Sequence, residues 1–496
     1  MKTTVVWFHH DLRLSDNPAL YEAARRGAIV PIYIYAPEEQ GSRAPGAARK
    51  WWLHHSLHAL DQSLQRRGLR LVIRRAPQSL PVLEQILTET GADALYWNTR
   101  YEPQLQERDE RIRRTFQQRG IEVRAFPCYL LHDPDAVRTD SGQPYTVFTP
   151  FWKRMLQVVE VPEPLPEPET LLAPDSQPAS EPLESLELLP KIDWAAGFRA
   201  TWQVGEAAAH RRLDWFLRHA VEHYHARRDR PDLDATSRLS PHLHHGELSP
   251  RQIWHATLRH SQGRWTKGVE HFLREVGWRE FGYHILYHHP HTQERALRSE
   301  FDTFPWVEEK TPAFKAWTKG RTGIPMVDAG MRQLWRIGWM HNRVRMIVAS
   351  WLTKNLLLHW RLGEAWFWDT LVDADPASNV LGWQWTAGCG ADAAPYFRVF
   401  NPVIQGRKFD PDGVYVRQWV PELANLPTEY LHAPWEAPDE VLKQAGVVLG
   451  KTYPFPQEPI DTSRDRAVDM LELAPHIDHA VLFSGDGDFR SLVEAL

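Results

Sequence analysis

The strongest constraint on this chain is a change of period part-way along it. Up to about residue 135, short β-branched or aromatic runs alternate with helical patterns; beyond about residue 200 only helical patterns remain. The short runs fall at residues 4–8, 29–35, 70–74, 94–97 and 123–126. Between the first two, a helix is predicted over Pro18–Arg26, with Asn17 ahead of it, proline at its first position and Gly27 at its end. Residues 47–67 put Leu53, Leu57, Leu60 and Leu64 on one helical face and stop at Gly68. Regular strand–helix alternation requires a parallel sheet covered by helices, with ligands at the carboxyl ends of its strands. Residues 7–11 and 97–102 are the candidates there, and no GxGxxG follows the first strand. In the second half, residues 211–224, 249–260, 268–289 and 341–360 read as long helices, with Ser249 as N-cap before Pro250.

The expected fold class is therefore an α/β N-terminal domain with a parallel, Rossmann-like sheet, followed by a larger all-α domain. The expected division is residues 1–135, a linker over 136–200, the helical domain over 201–455 and an atypical tail over 456–496. Residues 161–190 are rich in proline and acid, which suits a semi-rigid connector. Two cysteines, Cys128 and Cys389, exclude a disulfide framework and a Cys-rich metal site. The histidines of HHDLR, WLHHSL and HLHHG lack metal-ligand spacing and read as surface or packing residues; no metal is expected. No signal peptide and no apolar stretch of membrane length is evident, so the expectation is a cytoplasmic protein without a membrane partner. Net charge is −5, so any nucleic-acid site has to be a local basic patch. Tryptophan (23) outnumbers phenylalanine (19) and tyrosine (14), so indole rings are expected to do more than fill space.

Residues 373–402 read DADPASNVLGWQWTAGCGADAAPYFRVFNP. Two acids (Asp373, Asp375), an amide (Asn379) and two tryptophans (Trp383, Trp385) sit on one short stretch. Faces to stack on and edges to hydrogen-bond are what a bound planar ring needs. With GWMHNRVRMIVASWL before it, NPVIQGRKFD after it and VVWFHHDLRLSDNPAL near the start, this stretch closely resembles the photolyase/cryptochrome flavoproteins. The resemblance runs to about residue 455.

That resemblance implies a light-driven repair enzyme for cyclobutane pyrimidine dimers in DNA, a carbon–carbon lyase acting as a monomer with reduced FAD (FADH⁻). It assigns Thr236, Ser237, Arg238, Leu239 and Ser240 to the flavin phosphates, and Tyr224, Arg279, Asn342, Arg345, Asp373, Ala374 and Asp375 to the rest of the cofactor; Arg345 is expected to pair with Asp373. Asn379 matches the residue that faces the flavin N5. An Asp there is typical of plant cryptochromes, and Asn favours repair. Trp278 and Trp385 are implied to sandwich the dimer, with Glu275, Asn342 and Met346 lining the pocket. Glu275 would have to be protonated near neutral pH, which burial favours. HNRVRM looks like the cyclobutane-dimer branch. Arg343, Arg398 and Lys408 are implied phosphate contacts, and Trp306, Trp360 and Trp383 an electron relay. A second antenna chromophore is expected, methenyltetrahydrofolate bound in another way or 8-hydroxy-5-deazaflavin, with an empty site as the alternative. The sequence departs from the folate-binding pattern at Gln104–Leu105, and Arg43, Trp51 and Trp52 are further candidate contacts. The rival reading is a cryptochrome-type photoreceptor without repair activity. Residues 466–496 resemble a fragment of a NYN/PIN-like nuclease; Asp486 and Asp488 are not expected to act, and the tail is expected to be loosely packed or at an edge.

Overall fold

The computed structural model describes residues 2–396 and 398–473. Five parallel strands form one sheet: β1 (Thr3–Phe8), β2 (Ala28–Tyr35), β3 (Val72–Arg75), β4 (Ala94–Asn98) and β5 (Glu122–Phe126), in the order β3-β2-β1-β4-β5. All five predicted runs are strands. β1 and β2 are buried along their whole length, as strands covered on both faces must be. Asn17 accepts the Leu20 amide and caps helix Pro18–Arg26. Gly27 closes that helix where a Cβ would lie 2.2 Å from the Lys2 carbonyl oxygen. On helix Ala47–Gln65, Leu53, Leu57, Leu60 and Leu64 are buried against the sheet, as their spacing predicts.

The span expected to be a linker, residues 136–200, does more than connect. Helix Phe148–Val158 buries Phe148, Phe151, Trp152 and Met155. Trp152 lies flush on helix Lys267–His288 at Gly277, where a Cβ would sit 2.4 Å from the indole. The proline-rich stretch is tied to the sheet: the Glu181 amide donates to the Ile73 carbonyl (3.0 Å), Ser180 Oγ accepts the Ile73 amide (2.9 Å), and Leu172 bridges Ala28. Leu171, Leu186 and Leu188 join the core on that face. Proline and acid favoured an extended path, and the leucines between them fasten that path down.

The chain folds into two compact units that cross the expected linear boundaries. The first holds the chain up to Ala226, Ala235–Pro290 and Trp368–Ser378. The second holds Arg227–Asp234, His291–Phe367 and the chain from Asn379 to the end of the described residues. Within the first unit the loop after β1 locks onto residues 242–251. The Leu12 amide donates to the His245 carbonyl (3.2 Å), Arg13 donates to the Gly246 carbonyl (2.8 Å), and Asp16 pairs with Arg251 (2.8 Å). Gly246, at φ +68°, has no room for a Cβ, which would lie 1.9 Å from the His10 carbonyl oxygen. The histidines of HHDLR and HLHHG therefore belong to the interior: His9, His242, His244 and His245 are buried.

In the second unit, the helix expected over residues 341–360 is broken. Helix Asn342–Ser350 runs into a π turn, Trp351–Asn355, and after Leu357 (φ +50°) a new helix starts, Trp360–Thr370. The turn inserts Lys354 fully into the interior, where Nζ donates to the Arg398 carbonyl (2.9 Å) and burial pushes its ammonium pKa down to about 7. Only the start of the atypical tail lies among the described residues. Helix Ile460–Leu473 buries Ser463, Ala467 and Met470, and Asn355 donates to Ser463 Oγ (2.9 Å). Asp486 and Asp488 lie outside the described residues. Among the described residues no helix is long and apolar enough to cross a membrane.

Burial holds His9, His10 and His245 well below the usual imidazole range, assisted by Arg108, Arg100 and His244 respectively. Unfolding restores ordinary titration, so this stability is fully present above the unfolded pKa near 6.5 and is lost as pH falls. Below that point each neutral histidine should cost about 1.4 kcal/mol per pH unit until its own folded-state value is reached. Thermal melting at falling pH checks this: Tm should drop from about pH 6.5 downward.

Candidate active site

In the first unit the hydroxyl-rich loop expected to hold a pyrophosphate is braced from behind. Arg212 donates to the carbonyls of Thr236 and Ser237, each at 2.8 Å. Thr236, Ser237 and Arg238 are half-buried, Leu239 is buried, and Ser240 Oγ donates to Asp373 Oδ2 (2.6 Å). Arg238 adopts φ +52°, a tight left-handed turn. Tyr224 is buried between Phe216 and Phe272. Arg279 lies over the Tyr129 ring (4.3 Å) and donates to the Tyr129 carbonyl (2.8 Å), yet its Nη2 is buried without a hydrogen-bond partner among the described residues. An orphaned guanidinium donor, with a hydroxyl loop and paired acids in the same unit, fits a ligand bearing phosphates and a polyol.

Asp375 is the best-connected acid of the unit. Its Oδ1 accepts the amides of Ala377 and Ser378 (3.0 and 2.9 Å), capping helix Pro376–Ala387. Its Oδ2 accepts Tyr283 Oη (2.7 Å) and His244 Nδ1 (3.2 Å). Arg49 donates to His244 Nε2 (3.1 Å) and to the Ala374 carbonyl (3.1 Å), so His244 is the neutral tautomer with its proton on Nδ1. Burial alone would raise the Asp375 carboxyl; the His244 hydrogen bond, Arg279 and the Ser378 amide hold it well below the usual carboxylate range. Arg49 and His244 were not assigned from sequence, because histidines without metal spacing carried no signal.

Glu275 and Trp278 share one face of helix Lys267–His288 and are both half-buried. Phe148 stacks on Trp278 at 3.9 Å and 10°. Glu275 is thus not sealed from solvent. The buried carboxyl of this helix is Glu280, which burial pushes up to about 7 against Arg279 and the Leu131 amide.

In the second unit Asn379 is buried, and its Nδ2 donates to both the carbonyl (3.1 Å) and the carboxylate (2.9 Å) of Glu364. The amide oxygen is therefore the edge Asn379 has left to offer. Trp383 packs on helix Trp360–Thr370 at Gly363, where a Cβ would meet the indole at 2.0 Å. Gln384 donates to the Thr292 and Arg295 carbonyls (2.8 and 2.9 Å), which fixes the helix between Trp383 and the half-buried Trp385. Trp306 and Trp360 each have His359 as a ring neighbour, at 5.2 and 5.5 Å. Arg345 donates to the Met340 carbonyl (2.7 Å); Asn342 is exposed and Met346 half-buried. Arg343 is ion-paired with Asp229 (3.0 Å), whereas the side chains of Arg398 and Lys408 are exposed.

Comparison with known proteins identifies the family. The family profile described as FAD binding domain of DNA photolyase matches residues 272–473, and that of DNA photolyase matches residues 4–169. Deoxyribodipyrimidine photo-lyase of Agrobacterium fabrum is 49% identical over 466 residues, covering 94% of this chain and 96% of the relative. The chain belongs to the photolyase/cryptochrome family. Cryptochrome-1 of Arabidopsis thaliana is 40% identical over 94% of this chain and 70% of that protein. The crystal structure of a bacterial class III photolyase from Agrobacterium tumefaciens superposes with a TM-score of 0.92 at 48% identity, covering 96% of this chain and 98% of that one. Its enzymatic class is accordingly that of a DNA photolyase, and FAD is the family cofactor.

Gln104–Leu105, the place where the sequence departs from the folate-binding pattern, lies on helix Pro103–Gln118. Leu105 is buried in the sheet domain, and Trp51 and Trp52 are sealed in packing, Trp51 on Phe198 and Trp52 bonded to Glu247 (3.0 Å). Gly363 and Glu364 went unassigned, although a glycine inside a helix carries a propensity cost that points to a packing reason. A Gly363→Ala substitution should displace Trp383, destabilising the fold by about 1–3 kcal/mol through overpacking. Urea unfolding would register the loss, and a shifted Trp383 ring would appear in a structure of the variant.

Proposed function

We propose that this photolyase-family protein repairs cyclobutane pyrimidine dimers in DNA. The observation that carries the reading is the indole platform at Trp278. Its ring is clamped on Phe148, yet it stays half-exposed, one helical turn from a half-exposed carboxyl at Glu275. A rigid aromatic face beside a carboxyl suits a flat lesion turned out of the duplex. Such extrusion, a step for which photolyases are already known, costs about a few kcal/mol and least for a damaged base. Trp385 is the second proposed lesion contact, with Asn342 and Met346. Glu275 is the proposed hydrogen-bond partner of the base edges and supports negative charge arriving on the dimer.

FAD in its reduced form, FADH⁻, is the proposed working cofactor, held by the 236–240 loop, Arg279 and the acids at 373 and 375. Bound and excited by light, the flavin supplies one-electron chemistry: it gives an electron to the dimer when reduced and withdraws one from an indole when oxidised. The Asn379 amide, fixed by Glu364, offers its oxygen to a protonated ring nitrogen. Trp383, Trp360 and Trp306 form the proposed relay that replaces electrons. A second, light-harvesting chromophore, methenyltetrahydrofolate or 8-hydroxy-5-deazaflavin, and a monomeric state complete the proposal. Arg398 and Lys408 supply the proposed local positive rim; Arg343 contributes less, because Asp229 already neutralises it.

Thymine-dimer oligonucleotide incubated with purified protein should lose its dimers under blue light and keep them in the dark. Dimers that survive illumination while the flavin is photoreduced would leave the photoreceptor reading instead. Glu275→Ala should lower repair yield per photon while the flavin absorbance stays bound to protein. Lys408→Ala should reduce the slope of log affinity for DNA against log salt by about one unit, and Arg343→Ala by less.

A further inference from the structure

Trp306 and Trp360, 54 positions apart in the numbering, are drawn together by backbone pairing. The Val307 amide donates to the Leu357 carbonyl (2.8 Å), the His359 amide donates to the Val307 carbonyl (2.9 Å), and Val307 and Leu358 form an isolated parallel bridge. The left-handed turn at Leu357 aims the following residues at Trp306. His359 lands against both indoles: edge-on to Trp306 (5.2 Å, 74°) and tilted over Trp360 (5.5 Å, 31°). Its Nδ1 accepts the Arg361 amide (3.1 Å), so the neutral ring carries its proton on Nε2. The Trp306 indole donates to the Thr353 carbonyl (3.3 Å), so the proton of that indole is held away from His359.

We propose that His359 is a positioning residue that gates electron movement between Trp306 and Trp360, conducting as a neutral ring and blocking when protonated. The inference rests on the relay reading given above. In the gated step one electron passes from Trp306 to an oxidised Trp360, and Trp306 is left as the radical cation. No bond forms or breaks and no proton has to move. A thiol reductant in solution returns one electron to Trp306, releases its proton to water and is left as a thiyl radical.

The gate is electrostatic. A unit positive charge at these separations disfavours a second positive charge on either indole, enough to slow the step by on the order of tenfold or more. Two charged groups act on His359. Burial, and then Arg361, keep its pKa below the ordinary imidazole value, against a raising influence of the exposed Glu308. The relay is therefore open at neutral pH and closes as pH falls through that lowered value.

The experiment follows blue-light reduction of oxidised flavin in the holoenzyme, with a thiol present, from about pH 8 to about pH 5. Wild type, His359→Phe, His359→Gln and Trp360→Phe are compared, each first checked for an unchanged melting temperature and bound flavin. The expected result is a fall of about tenfold or more toward acid in wild type, and less than about twofold in His359→Phe and His359→Gln. In a ¹³C-histidine spectrum, the resonance missing from both variants should titrate below the ordinary value. If a folded His359 variant keeps the wild-type pH profile, or that resonance titrates at the ordinary value or above, the gate is overturned while the relay stands. If Trp360→Phe photoreduces like wild type, the relay reading falls and takes the gate with it.

Discussion

One buried carboxylate, Asp375, ties together several of the residues proposed to carry the chemistry. It caps helix Pro376–Ala387, accepts from Tyr283 and His244, and through His244 is tied to Arg49. An ionised group in such a place is costly unless its lone pairs are satisfied. Two backbone amides, a phenol and an imidazole do that here. The helix it starts carries Asn379, Trp383 and Trp385, so the direction in which those side chains leave the backbone depends on a single charge held at the helix N-terminus.

The surrounding design is one of stiffness gained by close approach. Gly277 admits the Trp152 ring, Gly363 admits the Trp383 ring and Gly246 admits the β1 loop. The two helical glycines, Gly277 and Gly363, sacrifice local propensity for a contact that no larger residue permits. Indoles and phenyl rings fill the gaps so created. The excess of tryptophan over phenylalanine thus has a physical use: large flat rings wedge against bare backbone and still keep an edge free for a hydrogen bond.

The sheet was legible because period two and period 3.6 are hard to confuse when strands and helices alternate. The five strands and the caps at Asn17 and Ser249 follow directly from residue pattern. The break in the helix after Ser350 was not legible. Its sequence keeps apolar residues at helical spacing, and the π turn, which places Lys354 in the interior, is settled by tertiary packing. The strapping of residues 161–190 to the sheet was hidden for the opposite reason, since composition outweighed a few leucines. At the site, resemblance to a family assigned Asn379 and Trp278, but it could not tell that Glu364 fixes one and Phe148 braces the other. Those are partner relations, and a single sequence does not encode them at readable spacing.

The strap along β3 bears on how this enzyme survives at high concentration. A bare outer strand offers unpaired amides and carbonyls to any other chain, and self-association through such templates is a common route to insoluble material. Here Ser180, Glu181 and Leu172 already occupy hydrogen-bonding groups of β3 and β2. A connector that ties up those groups doubles as a guard. Cutting it within residues 161–190 would free those groups and present β3 to neighbouring molecules as an adhesive rim.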